Sequence, residues 1–249
     1  MRSSGLGPRS LRMTAGQAPA PSAQAPGDAG AAEAAKDDAA PAADQLSQVF
    51  SPEETILIFD WDDTVLPSTW IARQGLRLDD ESVVSAQQRA DLCVLEAEAF
   101  ETFKVAMELG EVVVVTNAEA GWIELSCKKF FPGLTEVLRK VRVASARTMF
   151  ETASVQSPFE WKYKAFSKEL EGYVSRGRVN VVSFGDSQHE REAIIRATHG
   201  LAEVRTKSLK FVERPEVDQL RKEHQLIRGC LRQVIQHDGN LDLCIRAAA

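Results

Sequence analysis

From residue 55 onward, short apolar and β-branched runs alternate with longer stretches in which apolar positions recur at helical spacing. Near-continuous apolar strands separated by amphipathic helices are the pattern of a parallel sheet covered on both faces. The runs at 55–59, 112–115, 141–144 and 179–184 predict four strands, and a fifth is expected within 201–212. Helical periodicity marks 82–109, 118–131, 160–174 and 190–197. Pro215 suits the first position of a further, polar helix running to about residue 236. The expected fold class is α/β, a three-layer sandwich with a mostly parallel central sheet.

The first 45 residues break this pattern. Ala, Pro, Gly and Ser dominate and large apolar residues are nearly absent, so 50–249 is read as the single folded domain. Arg2, Arg9 and Arg12 stand without any acid up to residue 27, and Asp28, Glu33, Asp37 and Asp38 follow. Such a segment resembles either a solvated tail or an organelle transit peptide. The missing amphipathic pattern favours the tail, so a cytoplasmic location is expected, or an organelle if the segment is a transit peptide.

The net charge of −6 argues against non-specific binding to nucleic acid, which needs clustered Lys and Arg. No stretch reaches the roughly 20 apolar residues of a membrane helix. Cys93, Cys127, Cys230 and Cys244 form no C-x-x-C pair, so reduced and mostly packed thiols are expected.

Open α/β sheets carry their chemistry at the carboxyl ends of the strands. The first strand runs into Asp60-Trp61-Asp62-Asp63-Thr64. Several acids beside an apolar strand are costly unless a cation compensates them, and Mg2+ prefers oxygen ligands. The second strand ends in Thr116-Asn117, a hydroxyl and an amide placed for phosphate ahead of a helix N-terminus. The fourth ends in Gly185-Asp186, with Glu190 four residues on. A cation for the phosphoryl group is offered by Lys162 or Lys164 at the start of the helix before that strand; Lys162, 24 residues before Asp186, is preferred.

The order D-x-D-x-T, a strand ending in Thr, a Lys, then G-D-x-x-x-E resembles the haloacid dehalogenase (HAD) superfamily, over residues 55 to about 212. The resemblance implies a HAD-like Rossmannoid fold and a phosphoric monoester hydrolase. It implies that Asp60 is the nucleophile, Asp62 the general acid/base, Thr116 a phosphate ligand and Lys162 the charge neutraliser. It also implies Mg2+ held by the Asp60 carboxylate, the Asp62 carbonyl and Asp186. Glu190 is the fourth candidate metal residue; it stands where many members carry Asp, and its extra methylene leaves direct binding and binding through water both open. His189 has no family role and reads as a surface histidine.

Asp63 reads as a solvated or helix-capping acid, Trp61 as packing and Thr64 as a turn residue. The 65–81 interval leaves room for a short flap only, with Pro67, Ser68, Thr69 and Trp70 as its candidates and Trp70 packed beneath it. No large cap is expected, which suits a phosphate carried by a protein as well as a small molecule. The charges of Arg221, Lys222, Glu223, His224 and Arg228 are expected to face solvent. Competing functions are a catalytically silent HAD-like binding module and a phosphotransferase using the same residues; a nucleotide-sugar enzyme using D-x-D for metal ranks far below them.

Overall fold

A computed structural model describes residues 49–175 and 177–246; the segment 1–45 lies outside the described residues. Six strands form one sheet in the order β3-β2-β1-β4-β5-β6, every neighbouring pair parallel. They are β1 (Thr55–Phe59), β2 (Glu111–Thr116), β3 (Arg142–Ser145), β4 (Val179–Gly185), β5 (Val204–Lys210) and β6 (Leu241–Cys244). Chain direction across the sheet reverses between β1 and β4, which opens a crevice at their carboxyl ends.

Eight α-helices lie among the described residues: α1 (Ser68–Arg73), α2 (Ala86–Leu109), α3 (Trp122–Phe130), α4 (Thr135–Leu138), α5 (Ala146–Phe150), α6 (Pro158–Val174), α7 (Gln188–Thr198) and α8 (Val217–Gln236). Every β1 residue is buried, because the alternating side chains enter different layers. Leu57 and Phe59 pack with α2, α3 and α8, whereas Ile56 and Ile58 pack with α6 and α7. The result is a three-layer, Rossmann-like sandwich, and no large cap covers the strand ends among the described residues. No described helix is long and apolar enough to cross a membrane.

The helices begin where side chains can take up their free N–H groups. Ser85 caps α2 with Gln88 in a capping box, and Ser187 caps α7 with Glu190, so α7 starts two residues earlier than periodicity predicts. Pro158 occupies the first turn of α6. On the other side, α3 starts four residues later than expected. Residues 118–121 turn first, and Gly121 reaches φ 91° at the N-cap, a conformation L side chains rarely adopt. Asn117 is therefore not at a helix N-terminus. Strand β6 and helices α1, α4 and α5 are too short to give a periodic signal, and none was anticipated.

Helix α8 corrects a second expectation. Glu223 and His224 are fully buried, on the same stripe as Leu220, Ile227 and Leu231. The His224 Nε2 lies 3.0 Å from the Thr64 carbonyl and Nδ1 lies 3.1 Å from the Thr102 hydroxyl. A carbonyl only accepts, so Nε2 carries the hydrogen and, in the neutral ring, Nδ1 accepts from Thr102. Burial holds the imidazole down at about 4, and it ties α2 and α8 to the loop that follows β1. The unfolded chain takes up this proton near pH 6.5 and the folded one only near 4, so the stability is present above 6.5 and is lost as pH falls to 4. The loss over that window is about 3 kcal/mol. Urea unfolding of His224→Gln should show a correspondingly shallower acid limb; equal loss in both proteins would rule out a neutral buried His224.

The four thiols are free. Cys127 is buried, whereas Cys93 and Cys244 are exposed, contrary to the expectation of mostly packed cysteines.

Candidate active site

The carboxyl end of β1 delivers Asp60 directly into the crevice, its N–H donating to Phe184 O at 2.9 Å across the β1–β4 seam. Asp186 follows β4 and Glu190 lies in the first turn of α7. Carboxylate oxygens of Asp60, Asp186 and Glu190 lie within 4.8 Å of one another. Gly185 makes this approach possible: a Cβ there would stand 2.6 Å from Glu190 Cβ and Cγ. The G-D-x-x-x-E spacing thus packs the methylenes of Glu190 against a residue without a side chain.

Lys162 enters from the other layer. With α6 starting at Pro158, Lys162 sits on the inward face with Ala165 and Phe166, while Lys164 is exposed, so the choice between the two lysines is decided by helix phase. Its ammonium, fully buried, donates to Asp60 Oδ1 at 2.5 Å and to Val115 O at 2.5 Å, and lies 3.6 Å from Glu190 Oε1. The other Glu190 oxygen accepts from the Ser187 N–H at 3.1 Å and from the Ser187 hydroxyl. Glu190 therefore caps its own helix and faces the cluster at once.

One cation faces three acids, Asp60 and Glu190 buried and Asp186 half-buried, and the charges are not balanced. Burial pushes the Asp60 carboxyl up; Lys162 opposes this, Glu190 and Asp62 add to it, and the result is about 7. Burial, with the charges of Asp60, Glu190 and Asp63, raises Asp186 to about 8. For Glu190, burial is outweighed by Lys162 and by the Ser187 hydrogen bonds, and the group sits below its ordinary value. Burial also disfavours the Lys162 ammonium, but Asp60 and Glu190 outweigh it and keep the group charged. A cation bound here would compete with protons at Asp60 and Asp186, and the all-oxygen donor set suits a hard divalent ion.

Asp62 stands apart from this cluster. Its Oδ1 accepts from the Trp122 indole N–H at 2.9 Å and its Oδ2 from the Thr116 hydroxyl at 3.1 Å. Burial raises its carboxyl against these two bonds. Thr116 Oγ1 also accepts from the Ala118 N–H at 2.9 Å, so the residue after β2 that was expected to meet phosphate is engaged with Asp62 and its own turn. The Asn117 Nδ2 donates to Pro158 O at 3.2 Å, bridging the β2 loop to the start of α6, and its Oδ1 is buried without a hydrogen-bond partner.

The neighbouring candidates take structural roles. Asp63 adopts φ 52°, and its carboxylate accepts from the Thr69 N–H at 2.8 Å and from the Thr69 hydroxyl, capping α1. The Trp61 ring is buried, with its N–H on Ser126 Oγ at 3.0 Å. Trp70 packs in the core beside Ile71. His189 is exposed. Sequence reasoning missed Trp122 and Ser187. Ser187 was legible as the S-x-x-E of a capping box, but nothing local connects Trp122 to an acid 60 positions earlier.

A groove of about 680 Å3 lies at the opposite end of the sheet, where β5 and β6 begin, and is lined by Thr198, Leu201, Arg205 and Asn240. It contains none of the clustered acids. Convergence of carboxylates and a buried lysine at a strand-order switch makes the β1–β4 crevice, rather than this groove, the candidate site. No protein-family model matches the chain, and no curated protein matches it.

Proposed function

We propose that this chain is a Mg2+-dependent phosphohydrolase that cleaves a phosphate monoester through an aspartyl-phosphate on Asp60. The observation that carries the reading is the division of labour between two carboxylates two residues apart. Asp60 meets the buried Lys162 ammonium at 2.5 Å among the acids, while Asp62 is held outside that cluster by Trp122 and Thr116. A nucleophile needs a compensating cation and a general acid needs a proton it can give up: Asp60 has the Lys162 ammonium beside it, whereas Asp62, its carboxyl raised by burial, meets only the neutral donors Trp122 and Thr116. The motif order that resembles HAD phosphatases supports the same assignment.

Asp60, Asp186 and Glu190 would hold the Mg2+, which would neutralise charge on the transferred phosphoryl group. A carboxylate oxygen of Asp60 attacks phosphorus, and the ester P–O bond breaks with its electron pair on the leaving oxygen. That oxygen takes the proton of Asp62. In the second step Asp62 removes a proton from water, the water oxygen attacks phosphorus, and the P–O bond to Asp60 breaks to release phosphate. Lys162 stays protonated and balances the charge gathered at Asp60. The absence of a large cap suits a phosphate displayed on a protein, and leaves small esters accessible too.

The test is phosphate release from an aryl phosphate by the full chain, with Mg2+ and with chelator. Release that requires Mg2+ is expected. A folded protein that releases no phosphate from aryl, alkyl or phosphopeptide esters in Mg2+ would overturn the assignment.

A further inference from the structure

Trp122 has no role in the reaction as written, yet its indole reaches the acid that the reaction needs most. It opens α3, directly after the Gly121 turn, and donates to Asp62 Oδ1 at 2.9 Å. Its own position is fixed from the opposite direction. The Ser126 hydroxyl donates to Trp122 O at 2.6 Å and accepts the Trp61 indole N–H at 3.0 Å. Two tryptophans thus cross the same gap: Trp61 reaches from the β1 loop into α3, and Trp122 reaches from α3 back to the residue after Trp61.

An indole N–H is a donor only and does not exchange its proton with a carboxyl, so Trp122 has no proton to give in the reaction. It can fix a carboxylate in direction. Asp62 needs such fixing, because the Lys162 ammonium attracts it and the acid cluster lies only two residues away. Turned toward Lys162, its carboxylate would add a fourth acid to the cluster and leave the leaving oxygen without a donor.

We propose that Trp122 is a positioning residue that holds Asp62 in line with Thr116 and away from Lys162, keeping the acid/base group separate from the nucleophile. This rests on the phosphohydrolase reading above. If the ring served only to pack, phenylalanine would replace it without selective effect. Misplacing a catalytic group by about 1 Å costs on the order of 100-fold, and general acid catalysis contributes about 10²–10⁴-fold.

The test compares Trp122→Phe with wild type in Mg2+ on two esters. An alkyl phosphate has a leaving group that needs Asp62's proton, and 4-nitrophenyl phosphate has one that does not. The expected result is a fall of about 100-fold in kcat/KM on the alkyl ester. On the aryl ester kcat and KM should fall together, because only the later water attack is slowed, leaving kcat/KM within about threefold. Asp62→Asn should show the same selectivity, and the double variant should lose little more than either single one, as for residues acting through one bond. Independently of turnover, the Trp122 indole N–H resonance, assigned by its loss in Trp122→Phe, should shift in Asp62→Ala. Wild-type activity with an equal loss on both esters, with no loss, or with an unmoved indole resonance would overturn this inference and leave the phosphohydrolase standing. Inactivity of wild type on both esters and on phosphoserine and phosphotyrosine peptides, the corresponding alkyl and aryl pair, would overturn the two together.

Discussion

Asp60→Asn is expected to reduce phosphate release by at least about 10⁴-fold, equivalent to about 5.5 kcal/mol of transition-state stabilisation. The amide has nearly the same shape but cannot form the covalent intermediate, and the other carboxylates after β1 are engaged elsewhere, Asp62 with Trp122 and Thr116 and Asp63 with Thr69. Stability should move the other way. Asp60 is one of three acids confined around a single lysine, and burial already holds its carboxyl up at about 7. Removing its charge relieves repulsion on Asp186 and Glu190 and leaves Lys162 paired with Glu190 at 3.6 Å. In chelator, the variant's Tm should therefore equal or exceed that of wild type, the usual trade between a strained active site and stability. Parallel phosphate-release and thermal-unfolding measurements decide it. Turnover within tenfold of wild type would exclude Asp60 as the nucleophile, and a large fall in Tm would show that loss of activity reports misfolding.

Lys162→Met is expected to have the largest effect on the fold. The side chain is fully buried, and its ammonium is the cation that compensates Asp60 and Glu190. Removing one partner of a buried ion pair costs about 3–5 kcal/mol, because the remaining charges stay desolvated. The loss should grow with pH. A carboxyl whose folded value lies above its unfolded value favours the fold below the unfolded value, and that advantage is lost as pH climbs. In wild type the window for Asp60 and Asp186 runs from 3.8 to about 7 and about 8; because Lys162 lowers Asp60, its removal pushes that carboxyl higher still, and the variant's extra loss falls at the alkaline end. Urea unfolding in chelator at pH 8 should thus show a deeper loss than at pH 5.5, and Mg2+ should restore part of it by taking the place of the missing charge. Lys164→Met, at an exposed position, should stay within about 0.5 kcal/mol of wild type. A Lys162→Met chain as stable as the Lys164 variant would mean that the acids do not depend on this lysine.

Sequence by itself determined the layered α/β class, because β-branched runs too short to be helices and buried on both faces have one economical arrangement. It also determined which acids lie at strand ends: Asp60 and Asp186 each follow the last residue of their strand, Phe59 of β1 and Gly185 of β4, and a strand cannot fold back its own next residue. The capping acid Glu190 and its partner Ser187 were readable for a similar local reason. Register between elements was not. Whether Lys162 or Lys164 faces the crevice depends on the phase of α6, which Pro158 sets by starting the helix two residues before its apolar pattern begins. The burial of Glu223 and His224 depends on α8 lying against α2 and the β1 loop, where Thr102 and Thr64 supply partners that turn a polar stripe into part of the core. The meeting of Trp122 with Asp62 depends on the delayed start of α3 at Gly121 and on the side-by-side placement of β1 and β2. Each is a contact between residues dozens of positions apart, and hydrophobic periodicity carries no information about the partner across such a gap. Local pattern decides what a segment becomes; only packing decides which of its polar atoms meet.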